Sequence, residues 1–228
     1  MILAAHQPIY FPDLSFFAKM IHADRFVLTD DFAYSTRPAI NRARIKTATG
    51  PHWLSVPSLT RGLKNQLIRD VRINNTCDWC QKHFRSLQVN YTYAAYFEAL
   101  EEALTPFYGR KYDRLLDLNI ASIDLVRSYL DISTPISLTS GLHVQGSGAN
   151  YLAALSTRLG CDTFLADVRF RNYLSRQTFE SAGVNLQFWE YESSEYYQQF
   201  GPFIPKLSVL DLLLNEGKDA ARIISRNE

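Results

Sequence analysis

The sequence predicts an α/β fold with a layered, Rossmann-like, mostly parallel sheet and an inserted, mainly helical segment at about residues 79–131. Three observations carry this prediction. Residues 1–31 follow a strand, helix, strand pattern; strands and helices alternate again after residue 136; and the stretch between them has apolar residues at helical spacing. We treat residues 1–228 as a single α/β domain, long enough to bury a sizeable core without disulfides or metal.

Composition and charge narrow the class of protein. The net charge is +1 and 46% of the residues are hydrophobic, as in a globular protein. A nearly neutral chain has no overall field to attract nucleic acid, and no stretch approaches the ~20 apolar residues of a membrane span. Three cysteines do not make a disulfide framework. Without a signal-like leader, we expect a cytoplasmic protein of bacterial type that acts on a small-molecule substrate.

The first element is a βαβ unit. Apolar strands are predicted at residues 2–5 and 26–28, and the helix between them begins after Pro12 and Asp13, with Asp13 able to cap it. In a parallel sheet the loops after the strands share the carboxyl edge, where open α/β folds bind their ligands. Those loops here carry His6-Gln7-Pro8-Ile9-Tyr10 and Asp30-Asp31.

The remaining elements follow in order. Residues 32–44 are predicted to form a polar loop. Short strands are predicted at residues 53–57, 67–73, 136–140, 163–166 and 184–190. Helices are predicted at residues 79–89, 94–107, 115–130, 149–159, 175–182 and 208–214.

Several short motifs lie in one order along nearly the whole chain. They are His6-Gln7-Pro8-x-Tyr10-x-Pro12, Asp30-Asp31, Asn41-Arg42-x-x-Ile45-Lys46, Trp53-Leu54-Ser55-Val56-Pro57, Lys82-His83 and Leu207-Ser208-x-x-Asp211-Leu212-Leu213-x-Asn215-x-Gly217. With these motifs the sequence resembles the WbqC-like family. It departs from the family at Ile9 and Asp13, where members often have Asn and Trp. The resemblance implies a role in bacterial surface-polysaccharide or specialised-metabolite biosynthesis, where acyl or aminoacyl transfer has been suggested.

Three residues are predicted to be catalytic. His6 follows a strand end directly, which suits a general base, with Asp31 behind it and His83 as a second proton-transfer group. Structural alternatives stay open for each: His6 as a pin of its turn, His83 as a surface histidine, and an aspartate as a turn residue. Adjacent residues at a strand end point to opposite sides, so only one of Asp30 and Asp31 is expected to face the site.

Substrate-binding residues are predicted around this edge. Arg42, Arg44 and Lys46 alternate and would share one face of an extended segment, either as a cationic comb for an anion or as an ordinary solvated edge strand. The predicted binding residues are Gln7, Tyr10, Asn41, Arg42, Lys46, Asn119 and Ser140. Asn119 lies in an apolar helix stripe, so it either ties down a loop or reaches the substrate. Ser140 precedes a Gly-rich loop whose free amides could bind an anion.

A metal site is not predicted. Cys77-x-x-Cys80-x-x-His83 has no fourth ligand at a recognised spacing, and no cofactor motif is found either. Ser208-x-x-Asp211 after Pro205 has the pattern of a helix cap, which keeps Asp211 out of the predicted catalytic set.

Three hypotheses for function follow. The first is a transferase that moves an acyl or aminoacyl group to an amine or hydroxyl acceptor, such as an amino sugar, from an acyl thioester or a carrier protein, with no covalent nucleophile. The second is an ATP-dependent ligase or nucleotidylyltransferase, which the strand-loop-helix start resembles, although this loop has His6 alone and no Gly. The third is a non-catalytic module that binds sugar or carrier protein through aromatic side chains.

Overall fold

A computed structural model describes residues 1–35, 40–63 and 65–225. Its strands in chain order are β1 (Ile2–His6), β2 (Arg25–Leu28), β3 (Arg42–Thr47), β4 (Gly50–Ser55), β5 (Ser58–Leu59), β6 (Arg72–Ile73), β7 (Ile136–Leu138), β8 (Thr163–Asp167) and β9 (Asn185–Trp189). Five of them form a parallel sheet in the order β7-β2-β1-β8-β9, and two antiparallel pairs, β3 with β4 and β5 with β6, lie outside it.

Helices surround this sheet. They are α1 (Leu14–Ile21), α2 (Trp79–Tyr91), α3 (Phe97–Gly109), α4 (Leu115–Tyr129), α5 (Gly148–Arg158), α6 (Arg176–Ser181), α7 (Val209–Glu216) and α8 (Ala220–Ile224). The predicted fold class is confirmed, because helices flank a central parallel sheet and three helices stand between β6 and β7. No helix within residues 1–35, 40–63 and 65–225 is both long and apolar enough to cross a membrane.

The strand order places a ligand crevice between β1 and β8. From β1 the chain proceeds outward to β2 and β7 on one side, and β8 and β9 are added on the other side. In open α/β sheets such a reversal leaves a crevice at the carboxyl ends of the two central strands. Here β1 ends at His6 and β8 at Asp167.

Two regions differ from the sequence prediction. Residues 42–47 form β3 and pair with β4, which begins at Gly50, whereas residues 42–44 were predicted to belong to a polar loop. The buried Ala43 and Ile45 alternate with Arg42 and Arg44, as in the extended segment that the same residues also predicted. Residues 67–73 form a 3-10 turn at Ile68–Asp70 and only a two-residue strand, because Ile68 and Val71 point into the core at turn spacing. Residues 36–39 of the predicted loop lie outside the described residues.

The loop after β1 is held from behind by α4. Asn119 is fully buried, and its Nδ2 donates to the carbonyls of Pro8 at 2.9 Å and Ile40 at 3.1 Å. Ser122 Oγ accepts a hydrogen bond from the Phe11 amide at 3.1 Å. Thus the inserted helical segment fixes the backbone of the loop that begins at His6, and Asn119 takes the loop-tying role that the sequence left as one of two options.

Replacing Asn119 by Ala is expected to lower the free energy of unfolding by about 2–4 kcal/mol, because buried carbonyls lose a donor and a cavity is left. Urea unfolding measures this change. The matched control is Asn90→Ala, since Asn90 also donates to a carbonyl, that of Ser86, but is half-buried on α2; its cost should stay below about 1 kcal/mol. Equal losses for the two variants would contradict the role given to Asn119.

Candidate functional site

A cavity of about 720 Å³ opens at the carboxyl ends of β1 and β8. Apolar walls come from both strands and from the loop after β1. Its charged and polar lining includes His6, Gln7, Asp13, Lys19, Arg42, Arg44, Asp167, Arg169 and Lys206. Size, position and a few converging polar groups are those of a small-molecule site.

His6 is held as a neutral imidazole with a defined tautomer. Its Nδ1 lies 2.9 Å from the Gln7 carbonyl oxygen. Because a carbonyl only accepts, Nδ1 carries the proton and Nε2 is the basic nitrogen. Burial, followed by the charge of Lys19, lowers the pKa of His6 to about 4. The edge of the Phe16 ring fixes the orientation of the imidazole, with ring centroids 5.0 Å apart.

Two arginines of β3 line the cavity. Arg42 and Arg44 alternate with the buried Ala43 and Ile45, so the strand presents both guanidinium groups on the other face. The Arg42 guanidinium lies 5.3 Å from the centre of the Trp53 ring on β4, in cation–π geometry. Trp53 is 45% exposed at the rim. Two of the three residues of the predicted cationic face, Arg42 and Arg44, therefore line the cavity, whereas Lys46 does not.

Lys19 and an ion pair after β8 complete the charged lining. Lys19 is 6% exposed, its Nζ donates to the Ala5 carbonyl at 3.2 Å, and burial lowers its pKa to about 8. Arg169 binds Asp167 through two nitrogens, at 2.9 and 2.6 Å. Burial tends to raise the pKa of Asp167, but the hydrogen bonds from Arg169 outweigh it and the net pKa lies below its ordinary value.

The two neighbouring aspartates bind elements other than His6. Asp30 is buried and accepts from the Ser140 amide at 3.0 Å and from its hydroxyl at 2.6 Å. Asp31 accepts from the hydroxyls of Thr139 and, at 3.0 Å, of Tyr151. Asp31 and Ser140 therefore lie at the ends of β2 and β7 and take part in the hydrogen bonds that connect these two strand ends. The partner of His6 Nδ1 is the Gln7 carbonyl instead of a carboxylate.

His83 lies in a chain of buried polar groups. Tyr10 Oη is 2.8 Å from Tyr108 Oη and 3.2 Å from His83 Nδ1, and His83 Nε2 is 3.2 Å from the Ser55 carbonyl oxygen. Both ring nitrogens thus have partners within the protein. His83 lines a different cavity of about 320 Å³, together with Lys82 and Cys77. No group of three or more His, Cys, Asp or Glu side chains in the described part of the chain is arranged to hold a metal.

Two further predicted binding residues hold backbone. Asn41 Nδ2 donates to the Val56 carbonyl at 2.7 Å. Lys46 is 1% exposed, and its Nζ donates to the Pro202 carbonyl at 2.6 Å, to Gln198 Oε1 at 3.2 Å and to the Gly201 carbonyl at 3.3 Å. All three donors of the Lys46 ammonium are used, so this cation has no donor left for a ligand.

Of the predicted site residues, His6, Gln7 and Arg42 line the large cavity. Sequence reasoning noted Arg44 but did not select it, and it missed Lys19, Asp167, Arg169 and Lys206. Two signals were present: a lysine among apolar residues in α1, between Ala18 and Met20, and the charged residues directly after β8. Both signals depend on knowing the strand order, because β8 is adjacent to β1 only in the folded sheet.

Comparison with known proteins shows the family of this chain. Residues 7–223 match the model of the WbqC-like protein family. The chain belongs to this family. This WbqC-like chain is also similar to a Mycobacterium tuberculosis (strain ATCC 25618 / H37Rv) protein named "Uncharacterized protein Rv1507c", with 31% identity over 220 residues that cover 96% of this chain and 95% of the relative. No solved structure matches it. The family membership predicted from the short motifs is thereby confirmed.

The buried His83 should make stability depend on pH. Burial lowers its folded-state pKa to about 4, although the Ser55 carbonyl acts in the opposite direction. Between pH 6.5 and 4 the unfolded chain binds a proton that the folded protein does not, so stability is lost as the pH falls. The pKa difference corresponds to about 3 kcal/mol. Urea unfolding measures the free energy of unfolding from pH 7.5 to 4.5, and His83→Gln should lose about 3 kcal/mol less of it over this range than wild type. An equal loss in the two proteins would contradict the lowered pKa of His83.

Proposed function

We propose that the protein is a transferase that moves an acyl or aminoacyl group from an anionic donor to an amine or hydroxyl acceptor, with His6 as general base. The observation that carries the proposal is the neutral His6 imidazole in a cavity whose lining is cationic. Direct transfer to a positioned acceptor needs a general base, and the cationic lining suits a donor that carries an anionic group.

In this reaction His6 Nε2 takes the proton from the acceptor as its nitrogen or oxygen forms a bond to the acyl carbon. The bond from the acyl carbon to the leaving atom of the donor then breaks, and the proton passes from His6 to that leaving atom. A bound anion beside Lys19 would reduce the positive charge that lowers the pKa of His6, so the base becomes stronger when the donor is present.

The side chains that line the cavity fit direct transfer without a covalent intermediate. None of the three cysteines of the chain lines it. Ser15 does line it, but its hydroxyl donates at 2.6 Å to Asp13 Oδ1, which also accepts from the Ser15 amide, and no histidine of the described residues bonds this hydroxyl. We therefore propose no acyl-enzyme intermediate. The proposed donors are acyl thioesters or acylated carrier proteins, and the proposed acceptors are amino sugars and related metabolites of bacterial surface-polysaccharide or specialised-metabolite biosynthesis.

An ATP-dependent ligase is the second candidate, and the cationic lining favours it because the same side chains suit a triphosphate. The start of α1 disfavours it, since the Asp13 carboxylate caps the helix at the Ser15 amide, where such folds hold phosphates. In a calorimetric titration with ATP and magnesium, an absence of binding would remove the ligase, because only the ligase requires ATP. A non-catalytic binding module is the third candidate, and it requires that ligand binding survive replacement of His6.

His6→Gln should lower turnover by ~10² or more, the usual effect of losing a positioned base, and change the free energy of unfolding by no more than about 1 kcal/mol. Turnover is measured with a panel of acyl thioesters and amino-sugar nucleotides, and stability by urea unfolding of the same preparation.

The matched control is His22→Gln. His22 Nδ1 also bonds a backbone carbonyl, that of Ala18 at 2.9 Å, but it lies at the other end of α1. It should keep wild-type turnover. A His6→Gln protein that is destabilised yet fully active would instead make His6 a structural pin of its turn.

Arg44 and Lys46 of β3 should respond differently to replacement by Met. Arg44→Met should raise KM for the anionic donor about tenfold or more with little change in stability, because Arg44 lines the cavity. Lys46→Met should cost about 1–3 kcal/mol of stability and leave KM unchanged, because its ammonium holds the segment at residues 198–202. Steady-state kinetics and urea unfolding of both variants test the pair, and the reverse pattern would remove Arg44 from the site.

A further inference from the structure

Lys19 is a buried cation with one hydrogen bond. An ammonium has three donors, but among the residues that the structure describes only the Ala5 carbonyl accepts from Nζ, at 3.2 Å. Within the described residues no carboxylate oxygen lies at ion-pair distance from Nζ. Burying an uncompensated charge is strongly unfavourable, and a fold that keeps one at a cavity wall has unused binding capacity there.

The charge of Lys19 is not paired with Asp167, the carboxylate that acts on its pKa. Asp167 raises the pKa of Lys19 through its charge, but its carboxylate is already bound by Arg169, at 2.9 and 2.6 Å through the side chain and at 2.8 Å through the amide. The pKa of Lys19, which burial lowers to about 8, still leaves the group mainly protonated at pH 7. Lys19 therefore faces the cavity as a cation.

The remaining charges of the cavity set the class of its ligand. With the Asp167–Arg169 pair neutral, the described lining keeps four cations, Lys19, Arg42, Arg44 and Lys206, and one carboxylate, Asp13. The balance of four minus one is +3, because Arg42 keeps its charge where it lies over Trp53. One carboxylate group on a ligand would neutralise a third of this charge, whereas a phosphate dianion or a diphosphate would neutralise most or all of it.

Side chains must provide this site, because the first turn of α1 cannot. Asp13 Oδ1 accepts from the Ser15 amide at 3.0 Å and from the Ser15 hydroxyl at 2.6 Å. A carboxylate at this position repels an anion and occupies an amide that a phosphate would use. An anion in the cavity is consequently expected beside the cationic side chains and away from Asp13.

We propose that Lys19, Arg44 and Lys206 form a phosphoryl-binding subsite, so that the donor substrate carries a phosphate or diphosphate group. This inference rests on the proposed function, since it specifies the anionic part of the proposed donor. Lys19 binds through two further hydrogen bonds from its ammonium, and Arg44 and Lys206 add charge from β3 and from the segment before α7.

Calorimetry with inorganic phosphate, pyrophosphate and acetate tests the subsite without any acyl donor. Pyrophosphate and phosphate should bind wild type, and acetate at least about tenfold more weakly. Lys19→Met should weaken pyrophosphate binding about tenfold or more, and so should Lys206→Met, whose exposed side chain can be replaced without risk to folding. Lys82→Met is the matched control, because Lys82 lines the other cavity, and it should bind like wild type.

The ligand-free stability of Lys19→Met gives a second readout. Removing an uncompensated buried charge should raise the melting temperature, whereas a purely structural lysine would lower it on replacement. Wild-type binding of acetate as tight as that of pyrophosphate, no pyrophosphate binding to wild type, or unchanged binding by both lysine variants would each overturn the subsite. Loss of pyrophosphate binding in these variants together with no acyl or aminoacyl transfer by wild type would leave the subsite standing and reject the proposed transferase.

Discussion

The fixed path of the loop after β1 is the constraint on which the cavity depends. α4 holds the loop through Asn119 and Ser122, and Ser208 Oγ donates to the Phe11 carbonyl at 2.8 Å from the start of α7. Phe11 has φ of 39°, in a region that side-chain-bearing residues rarely adopt and that needs support from neighbouring structure. Because two distant segments hold this loop, the His6 imidazole at its beginning has one position relative to β3 and β8.

Buried polar groups away from the cavity serve the same rigidity. Asp211 accepts hydrogen bonds from Tyr91 at 2.6 Å and from Tyr196 at 2.8 Å, and burial raises its pKa. Tyr91 Oη in turn accepts from the Lys46 amide at 2.8 Å. These bonds join α2, α7 and β3, so the strand that carries Arg44 is fixed from its far side. A buried network of this kind favours one geometry when every member is satisfied.

The sheet and one side of the site followed from the sequence because both rest on local patterns. Apolar runs that end in polar residues predicted β1 and β2, and the rule for parallel strand ends placed His6 at the ligand edge. The cap at Asp13 was also predicted, and it accepts from the Ser15 amide. The pattern at residues 208–211 predicted half of what is found: Ser208 caps α7, but Asp211 turns inward to the tyrosines. Burial decided between cap and core, and burial depends on contacts far along the chain.

The rest of the site could not be predicted because the residue type alone does not show whether a buried charge has hydrogen-bond partners. Lys46 and Lys19 are both nearly inaccessible lysines, yet within the described part of the chain Lys46 has three acceptors from residues 198–202 and Lys19 has one. The first arrangement stabilises a fold, whereas the second costs stability that the core must offset. The family motif at residues 41–46 favoured Lys46 as a binding residue, because such motifs contain residues that hold the fold as well as residues of the site. Only the count of hydrogen-bond partners in the folded chain separates a cation that holds the structure from one available to a ligand.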